Sequence, residues 1–152
     1  MDLIILPSSF EEVRPIWQQR LWDSKYKFEP VSCMLFMGGY DLNIPKNYTP
    51  FFLKAVCNGD LAGVVSAHQT SAEHFRLRGV YVFEQFRNQD VASALILHAT
   101  EIVKTFNVEL LWAAPRVSNV GLFEKLNFVR NSEPTNEGFL YGPNCYVSKS
   151  LK

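Results

Sequence analysis

The spacing of apolar and polar residues predicts a strand and then a helix at the start of the chain. Residues 2–6 form a β-branched run that ends at Pro7, which is typical of a strand. Ser8 or Ser9 can cap the helix that follows, and acids in its first turn suit the positive end of the helix dipole. An apolar stripe at helical spacing extends this helix to about Trp22.

The segment over residues 23–50 breaks this regularity with prolines, glycines and aromatic residues. Its composition predicts no firm helix or strand. We expect this irregular segment to form a lid over a substrate site.

Two apolar runs in the middle of the chain predict a hairpin. Phe51–Val56 and Leu61–His68 are joined by a turn that contains Asn58 and Gly59. Asn-Gly readily adopts the positive φ angles that a tight connection requires. The apolar stretch Phe75–Phe83 predicts a third strand that pairs beside this hairpin.

The second half of the chain predicts helices that alternate with short strands. The expected elements are a helix from Asp90 to about Phe106, a strand over Glu109–Ala114, a helix from about Val117 to Leu126, and short strands near Phe139–Tyr141 and Cys145–Leu151. Strands that lead into helices and return to strands indicate the α/β (α+β) class, with a mixed sheet and helices on both of its faces.

The composition limits the classes of function. The chain has 152 residues, of which 47% are apolar and 14% aromatic, and this suits one compact domain over residues 1–152. Lys plus Arg and Asp plus Glu both number 15, and no basic stripe indicates a nucleic-acid partner. No apolar run approaches the roughly 20 residues that a membrane span needs. Since the N-terminus lacks a basic leader, the expected location is cytoplasmic.

The three cysteines and three histidines are scattered along the sequence. An odd number of widely separated cysteines argues against a disulfide framework. No pair of these residues has the spacing of metal ligands, so we expect no metal.

A short turn from Arg87 to Ala92 carries the third strand directly into the long helix. The first amides of a helix have no partners within the helix, and they attract anions. The order strand, Arg-led turn, helix therefore predicts a phosphate-binding site.

Three motifs combine into a family pattern. Arg87–Ala92 fits the order Arg or Gln, two variable residues, Gly, one variable residue, then Gly or Ala, except that Asp90 takes the first glycine position. An Arg-Gly pair lies in the strand segment Leu77–Val82, and Leu122–Phe128 corresponds to Phe-Tyr-Glu-Lys-Leu-Gly-Phe after Trp112. Over roughly residues 51–151 the chain resembles the acyl-CoA-binding core of the GNAT N-acetyltransferase superfamily.

The resemblance implies an acetyl-CoA-dependent N-acetyltransferase with a mixed, mostly antiparallel sheet. The acetyl group would pass to the amine of a small molecule or peptide by direct attack. The backbone of Val80–Val82 would pair with the pantetheine arm, the amides of Arg87–Ala92 would cradle the pyrophosphate, and the Val82 amide would stabilise the oxyanion. The implied cofactor-binding residues are Val80, Tyr81, Val82, Arg87, Asn88, Gln89, Asp90, Val91, Ala92, Asn119 and Phe123.

Two departures from the family pattern leave alternatives open. Asp90 can either cap the helix or occupy the anion site and repel the phosphates. Phe123 stands where many members carry a tyrosine that protonates the departing thiolate, and phenylalanine has no proton to give. Both departures favour the alternative of a non-catalytic GNAT-fold binding or interaction protein. A pantetheine-binding domain that uses a different acyl chain is a further alternative.

Candidate side chains for the acceptor substrate come from two short segments. Glu73 and His74 are candidates for the general base, or else they form a solvated strand end. Arg78 and Arg116 interrupt apolar segments, and either bind a substrate carboxylate or pair with an acid of the protein. An edge strand near the C-terminus is a candidate surface for a homodimer.

Overall fold

The computed structural model describes residues 2–22, 28–137, 139 and 141–152. Within them one mixed sheet is built from seven strands: β1 (Leu3–Ser8), β2 (Phe51–Cys57), β3 (Asp60–Gln69), β4 (His74–Val82), β5 (Leu110–Ala113), β6 (Val129–Arg130) and β7 (Val147–Ser150). The spatial order is β1-β2-β3-β4-β5-β7-β6. Neighbours run antiparallel except β4 and β5, which are parallel. The prediction of a mixed, mostly antiparallel sheet is therefore confirmed.

The helices of the described segments are α1 (Phe10–Ile16), α2 (Ile44–Asn47), α3 (Val91–Lys104) and α4 (Val120–Lys125). A π-helical turn over Trp17–Leu21 continues α1, and short 3-10 turns precede α3 and α4. Ser9 caps α1 by accepting a hydrogen bond from the Glu12 N–H at 3.2 Å. None of the described helices combines the length and the apolar character that crossing a bilayer requires.

Helices cover both faces of the sheet because the buried strands alternate their side chains. On one face Trp17 from the π-helical turn packs with Phe52 and Val64. On the other face the adjacent residues Leu53 and Val65 belong to the core that α3 and α4 cover. Successive side chains of a strand point to opposite faces, so each strand supplies both cores. The prediction of helices on both faces is confirmed.

The hairpin between β2 and β3 follows from its turn residues. Asn58 has φ 51° and Gly59 has φ 87°. Two successive positive φ angles match the tight turn whose twist fits that of the flanking strands. The predicted hairpin is confirmed, and the strand beside it is β4.

The irregular parts of the chain differ most from expectation. Segment 28–50 contains α2 and an isolated bridge between Met34 and Tyr40, while residues 23–27 of the expected lid lie outside the described residues. The strand expected near Phe139–Tyr141 includes residue 140, which is also outside them, and its two neighbours are not in a strand. β6 was not expected, because two residues are too short to show an alternating pattern.

Candidate functional site

The central feature of the site is a gap between the two parallel strands. β4 and β5 pair only over His74–Arg76 and Leu110–Trp112, although β4 continues to Val82. Beyond β5 the chain finds another partner, since Pro115 O accepts a hydrogen bond from the Cys145 N–H at 3.0 Å. The strands thus separate after Arg76. The edge of β4 that faces the gap is left without a neighbouring strand.

A bulge in β4 accompanies this separation. Ser66 is paired with Arg78 but Val64 is paired with Tyr81, so β4 holds one extra residue at this point. Gly79 lies in the bulge with φ +68°, a conformation that favours glycine. A bulge bends its strand and increases the local twist. The bend lies in the part of β4 that no longer pairs with β5.

The start of α3 points unpaired amides toward the same gap. The first hydrogen bond of the helix runs from the Ala94 N–H to Asp90 O at 3.0 Å, so the amides of Val91, Ala92 and Ser93 have no partner within it. Asn88 has φ 61° and Asp90 has φ 63°. Asparagine and aspartate tolerate this left-handed conformation better than other non-glycine residues.

Asp90 does not cap the helix with its side chain. Capping residues normally have an extended backbone, whereas Asp90 is left-handed, and its carboxylate makes no hydrogen bond to the first-turn amides. The capping interpretation from the sequence is therefore wrong, because the backbone conformation is that of a glycine position. The amides remain available to an anion, with one negative charge beside them.

Arg87 ties this turn to the end of β4. Its Nε donates a hydrogen bond to Val82 O at 3.0 Å, and its guanidinium lies 5.6 Å from the centre of the Tyr81 ring. The contact joins the turn Arg87–Ala92, hereafter the predicted phosphate turn, to the edge of β4, so both belong to one wall of the gap.

The opposite wall comes from the chain after β5 and from α4. The Asn144 Nδ2 donates to Ala114 O at 2.6 Å, while its Oδ1 is buried without a partner. Phe123 is 4% exposed and packs edge-on against Phe128, with ring centres 5.2 Å apart. Asn119 lies exposed at the start of α4. Among its described lining residues, this wall offers amides and an aromatic ring and contains no acid.

Together the walls enclose a cleft of about 990 Å³. Most residues singled out from the sequence line it: Arg78, Val80, Tyr81, Val82, Arg87, Asn88, Asp90, Val91, Ala92, Arg116, Asn119 and Phe123. Glu73, His74 and Gln89 are not among its lining residues. Glu73 is exposed and His74 pairs with Leu110 where β4 and β5 are still joined, so neither lies where a general base of the cleft would be needed.

The charge of the cleft is strongly unbalanced within the described chain. The lining cations are Arg20, Arg76, Arg78, Arg87, Arg116 and Lys125, against the single carboxylate of Asp90. Arg87 and Lys125 belong to the walls beside the predicted phosphate turn. Arg76 and Arg78 lie on the other face of the sheet. The positive charge therefore extends along the cleft from the turn Arg87–Ala92 to the end where β4 and β5 are paired.

The two arginines predicted for substrate binding donate hydrogen bonds to main-chain carbonyls, and the Glu29 carboxylate attracts Arg78 electrostatically. Arg78 donates to Glu29 O at 2.7 Å and stacks 4.9 Å from the Trp17 ring centre, and burial lowers its pKa to about 9. Arg116 donates to Leu21 O at 3.0 Å. Each has a main-chain carbonyl as its acceptor in the described structure.

Sequence inspection missed two residues that line this cleft. Arg76 is two residues before Arg78 and so shares its face of β4, a spacing that could have identified it. Asn144 acts through a contact 30 residues away along the chain, which no local pattern reveals. No cluster of three or more His, Cys, Asp or Glu in the described segments is arranged to hold a metal ion.

Comparison with known proteins gives a family and a set of similar folds. The acetyltransferase (GNAT) family profile matches residues 13–128. Over 65 residues the chain is 34% identical to the uncharacterized N-acetyltransferase YitI of Bacillus subtilis, a match that covers 43% of this chain and 44% of that protein. The chain therefore spans less than half the length of that relative.

Two solved structures illustrate the similarity of fold. Ard1 from Thermoplasma volcanium superposes with a TM-score of 0.67 at 19% identity, over 99% of this chain and 98% of that one. An aminoglycoside 6'-N-acetyltransferase complexed with coenzyme A gives 0.69 at 12% identity, over 98% and 97% of the two chains. At such identities the likeness concerns the fold.

Proposed function

The chain belongs to the acetyltransferase (GNAT) family, and on that premise we propose that residues 1–152 form one N-acetyltransferase domain that moves an acetyl group from acetyl-CoA to an amine. The acceptor is a small molecule or a peptide. One observation carries the proposal: β4 and β5 separate beside a helix start whose first amides are unpaired. The coenzyme A complex of the aminoglycoside 6'-N-acetyltransferase, a protein of similar fold, supports the choice of donor.

The residues present fit such a donor. Val80, Tyr81 and Val82 offer backbone groups along a strand edge, where an extended amide chain can add as a further strand. The amides of Val91–Ser93 and the left-handed turn at Asn88 offer N–H groups for a diphosphate. Bound acetyl-CoA would supply the activated acetyl thioester.

The cleft favours the neutral form of an amine. A cation near an ammonium group lowers its pKa, because like charges disfavour the protonated form. Arg76, Arg78 and Arg116 line the cleft, and no histidine or second carboxylate joins Asp90 among its described lining residues. We therefore assign deprotonation to solvent, assisted by this field. The Val82 amide remains our candidate donor to the oxyanion.

Phe123 lies where a side chain could donate a proton to the departing thiolate. Its ring lines the cleft but carries no proton. The same positive charges that favour a neutral amine also favour a thiolate over a thiol. The proposed reaction thus relies on electrostatics in place of a side-chain acid.

The second candidate is a non-catalytic member of the fold. Asp90 and Phe123 favour it, since the first adds negative charge at the anion site and the second removes the usual proton donor. Such a protein would bind acetyl-CoA weakly or not at all. It would release no thiol with any amine.

Incubation with acetyl-CoA and a panel of amines separates the two candidates. We expect thiol release that depends on the amine, together with a product that has gained one acetyl group by mass spectrometry. Ala92→Glu should abolish release, because it places a carboxylate on the first turn of α3. Leu97→Glu is the matched control, since Leu97 is exposed on the same helix and does not line the cleft. Folded protein that releases no thiol with the whole panel would support the non-catalytic candidate.

A further inference from the structure

Arg76 is placed at the acceptor end of the cleft by the sheet itself. Arg76 lies on β4, opposite His68 of β3 on one side and Trp112 of β5 on the other. The three side chains therefore form a row on one face of the sheet. Arg76 lines the cleft at the last paired position before the strands separate. Its location differs from the predicted phosphate turn, which lies at the far end of β4.

The guanidinium of Arg76 is oriented but not neutralised. One terminal nitrogen donates to the Ser32 hydroxyl at 2.7 Å, and the group lies 5.0 Å from the Trp112 ring centre. Its Nε is buried without a hydrogen-bond partner. No carboxylate of the described residues is bonded to it. Burial lowers the pKa of Arg76 to about 10, as expected for a desolvated charge.

The groups behind Arg76 are neutral as well. The Ser32 N–H donates to His68 Nε2 at 3.2 Å, so this nitrogen is an acceptor and the imidazole is uncharged. Burial, with Arg76 and Arg78 nearby, holds the pKa of His68 well below 6.5. Burial also raises the pKa of Tyr146, which keeps this phenol protonated. His68 therefore positions Ser32, and Ser32 positions Arg76, without adding negative charge.

Arg76 is a partly buried cation, and such a charge without an anion is unfavourable unless a ligand supplies one. The planar guanidinium matches a carboxylate, which can accept two parallel hydrogen bonds and carries one balancing charge. Arg78 adds a second positive charge on the same face, two residues along β4. We infer that the acceptor amine carries a carboxylate and that Arg76 binds this group. The inference rests on the proposed acetyl transfer and names the chemical class of its acceptor.

Equilibrium binding tests the inference without requiring turnover. The probes are amino acids paired with their neutral amides: glycine with glycinamide, phenylalanine with phenylalaninamide, and γ-aminobutyrate with γ-aminobutyramide. Phosphoethanolamine represents a phosphate. We expect wild-type protein to bind at least one acid about 10- to 100-fold more tightly than its amide, the range for a charge-assisted pair. Arg76→Gln should lose this preference and Arg76→Lys should reduce it, because an ammonium lacks the planar fork.

Arg130→Gln is the matched control, since Arg130 is exposed, pairs with Glu133 at 3.3 Å and does not line the cleft. The acid preference should survive in it. A folded Arg76→Gln protein that keeps the preference would overturn the inference. If that variant does not fold, the binding measurements on wild-type protein test the inference. It would be overturned if no acid bound more tightly than its amide, or if phosphoethanolamine bound more tightly than every acid. Titration with acetyl-CoA in parallel distinguishes the two failures: absent acetyl-CoA binding with an intact acid preference would overturn the proposed transfer and leave only a carboxylate site at Arg76.

Discussion

Trp17 packs directly against Gly79 at the bulge of β4. The indole Nε1 donates a 2.9 Å hydrogen bond to Gly79 O, and a Cβ added to Gly79 would overlap the indole ring. Gly79 also has φ +68°, which a side chain would strain. The first helix thus holds the strand in the bent shape at which the cleft opens.

We expect Gly79→Ala to destabilise the protein by roughly 2 to 4 kcal/mol, from a strained left-handed alanine and from overlap with Trp17. Urea unfolding measures the change. Gly121→Ala is the matched control, since a Cβ added to Gly121 in α4 would have no heavy atom of another element within 4 Å. That substitution should be neutral or stabilise by roughly 0.5 to 1 kcal/mol. Equal effects of the two changes would mean that the Trp17 contact does not shape the bulge.

The charge of Asp90 should weaken donor binding. Asp90→Asn keeps the size and the tolerance of left-handed backbone but removes the charge beside the unpaired amides. We expect acetyl-CoA to bind about five-fold more tightly at low ionic strength, with a smaller gain at high salt. Asn88→Asp is the reciprocal variant and should weaken binding. Calorimetric affinities that are unchanged at low salt would show that Asp90 does not interfere.

Phe123 should limit the departure of the thiolate. Phe123→Tyr restores a hydroxyl at a ring that lines the cleft, and we expect kcat to rise by about ten-fold. Desolvation of the hydroxyl should lower the free energy of unfolding by roughly 1 to 3 kcal/mol without the donor. Phe106→Tyr is the control, because Phe106 is half exposed and outside the cleft. An unchanged kcat and pH profile in Phe123→Tyr would remove this explanation.

Acid should destabilise the fold through His68. Its pKa in the folded protein lies well below 6.5, the value expected after unfolding, so below pH 6.5 the unfolded chain takes up a proton that folded His68 refuses. The free energy of unfolding should therefore decrease as the pH is lowered below 6.5, by up to about 1.4 kcal/mol per pH unit. His68→Gln should flatten this slope, and His98→Gln, at an exposed position, should not. A wild-type slope that persists in His68→Gln would assign the effect elsewhere.

The regular elements could be predicted from sequence because their signals are local. Asn58 and Gly59 specify a turn. A strand that leads through an Arg-led turn into a helix predicts unpaired amides at the helix start, and α3 has them. The sequence left Asp90 open between capping the helix and occupying the anion site, because aspartate suits both an N-cap and a left-handed position. The capping alternative is wrong. Local sequence cannot choose between these when the surrounding fold imposes the choice.

The contacts around Trp17 and Arg76 could not be predicted from sequence. The contact of Trp17 with Gly79 joins residues 62 positions apart, and that of Arg76 with Ser32 joins residues 44 apart. Neither contact has a periodic signature. They exist because the sheet brings β4 beneath the first helix and beneath the irregular segment over residues 28–50.

We propose that the gap between β4 and β5, with the first turn of α3, binds acetyl-CoA. Isothermal titration of wild-type protein with acetyl-CoA, beside S-acetylpantetheine that lacks the diphosphate, tests it most directly. We expect one acetyl-CoA per chain, bound at least about 100-fold more tightly than S-acetylpantetheine, since the free amides and Arg87 would be left without an anion. Equal affinities for the two compounds, or no heat with millimolar acetyl-CoA, would contradict the account.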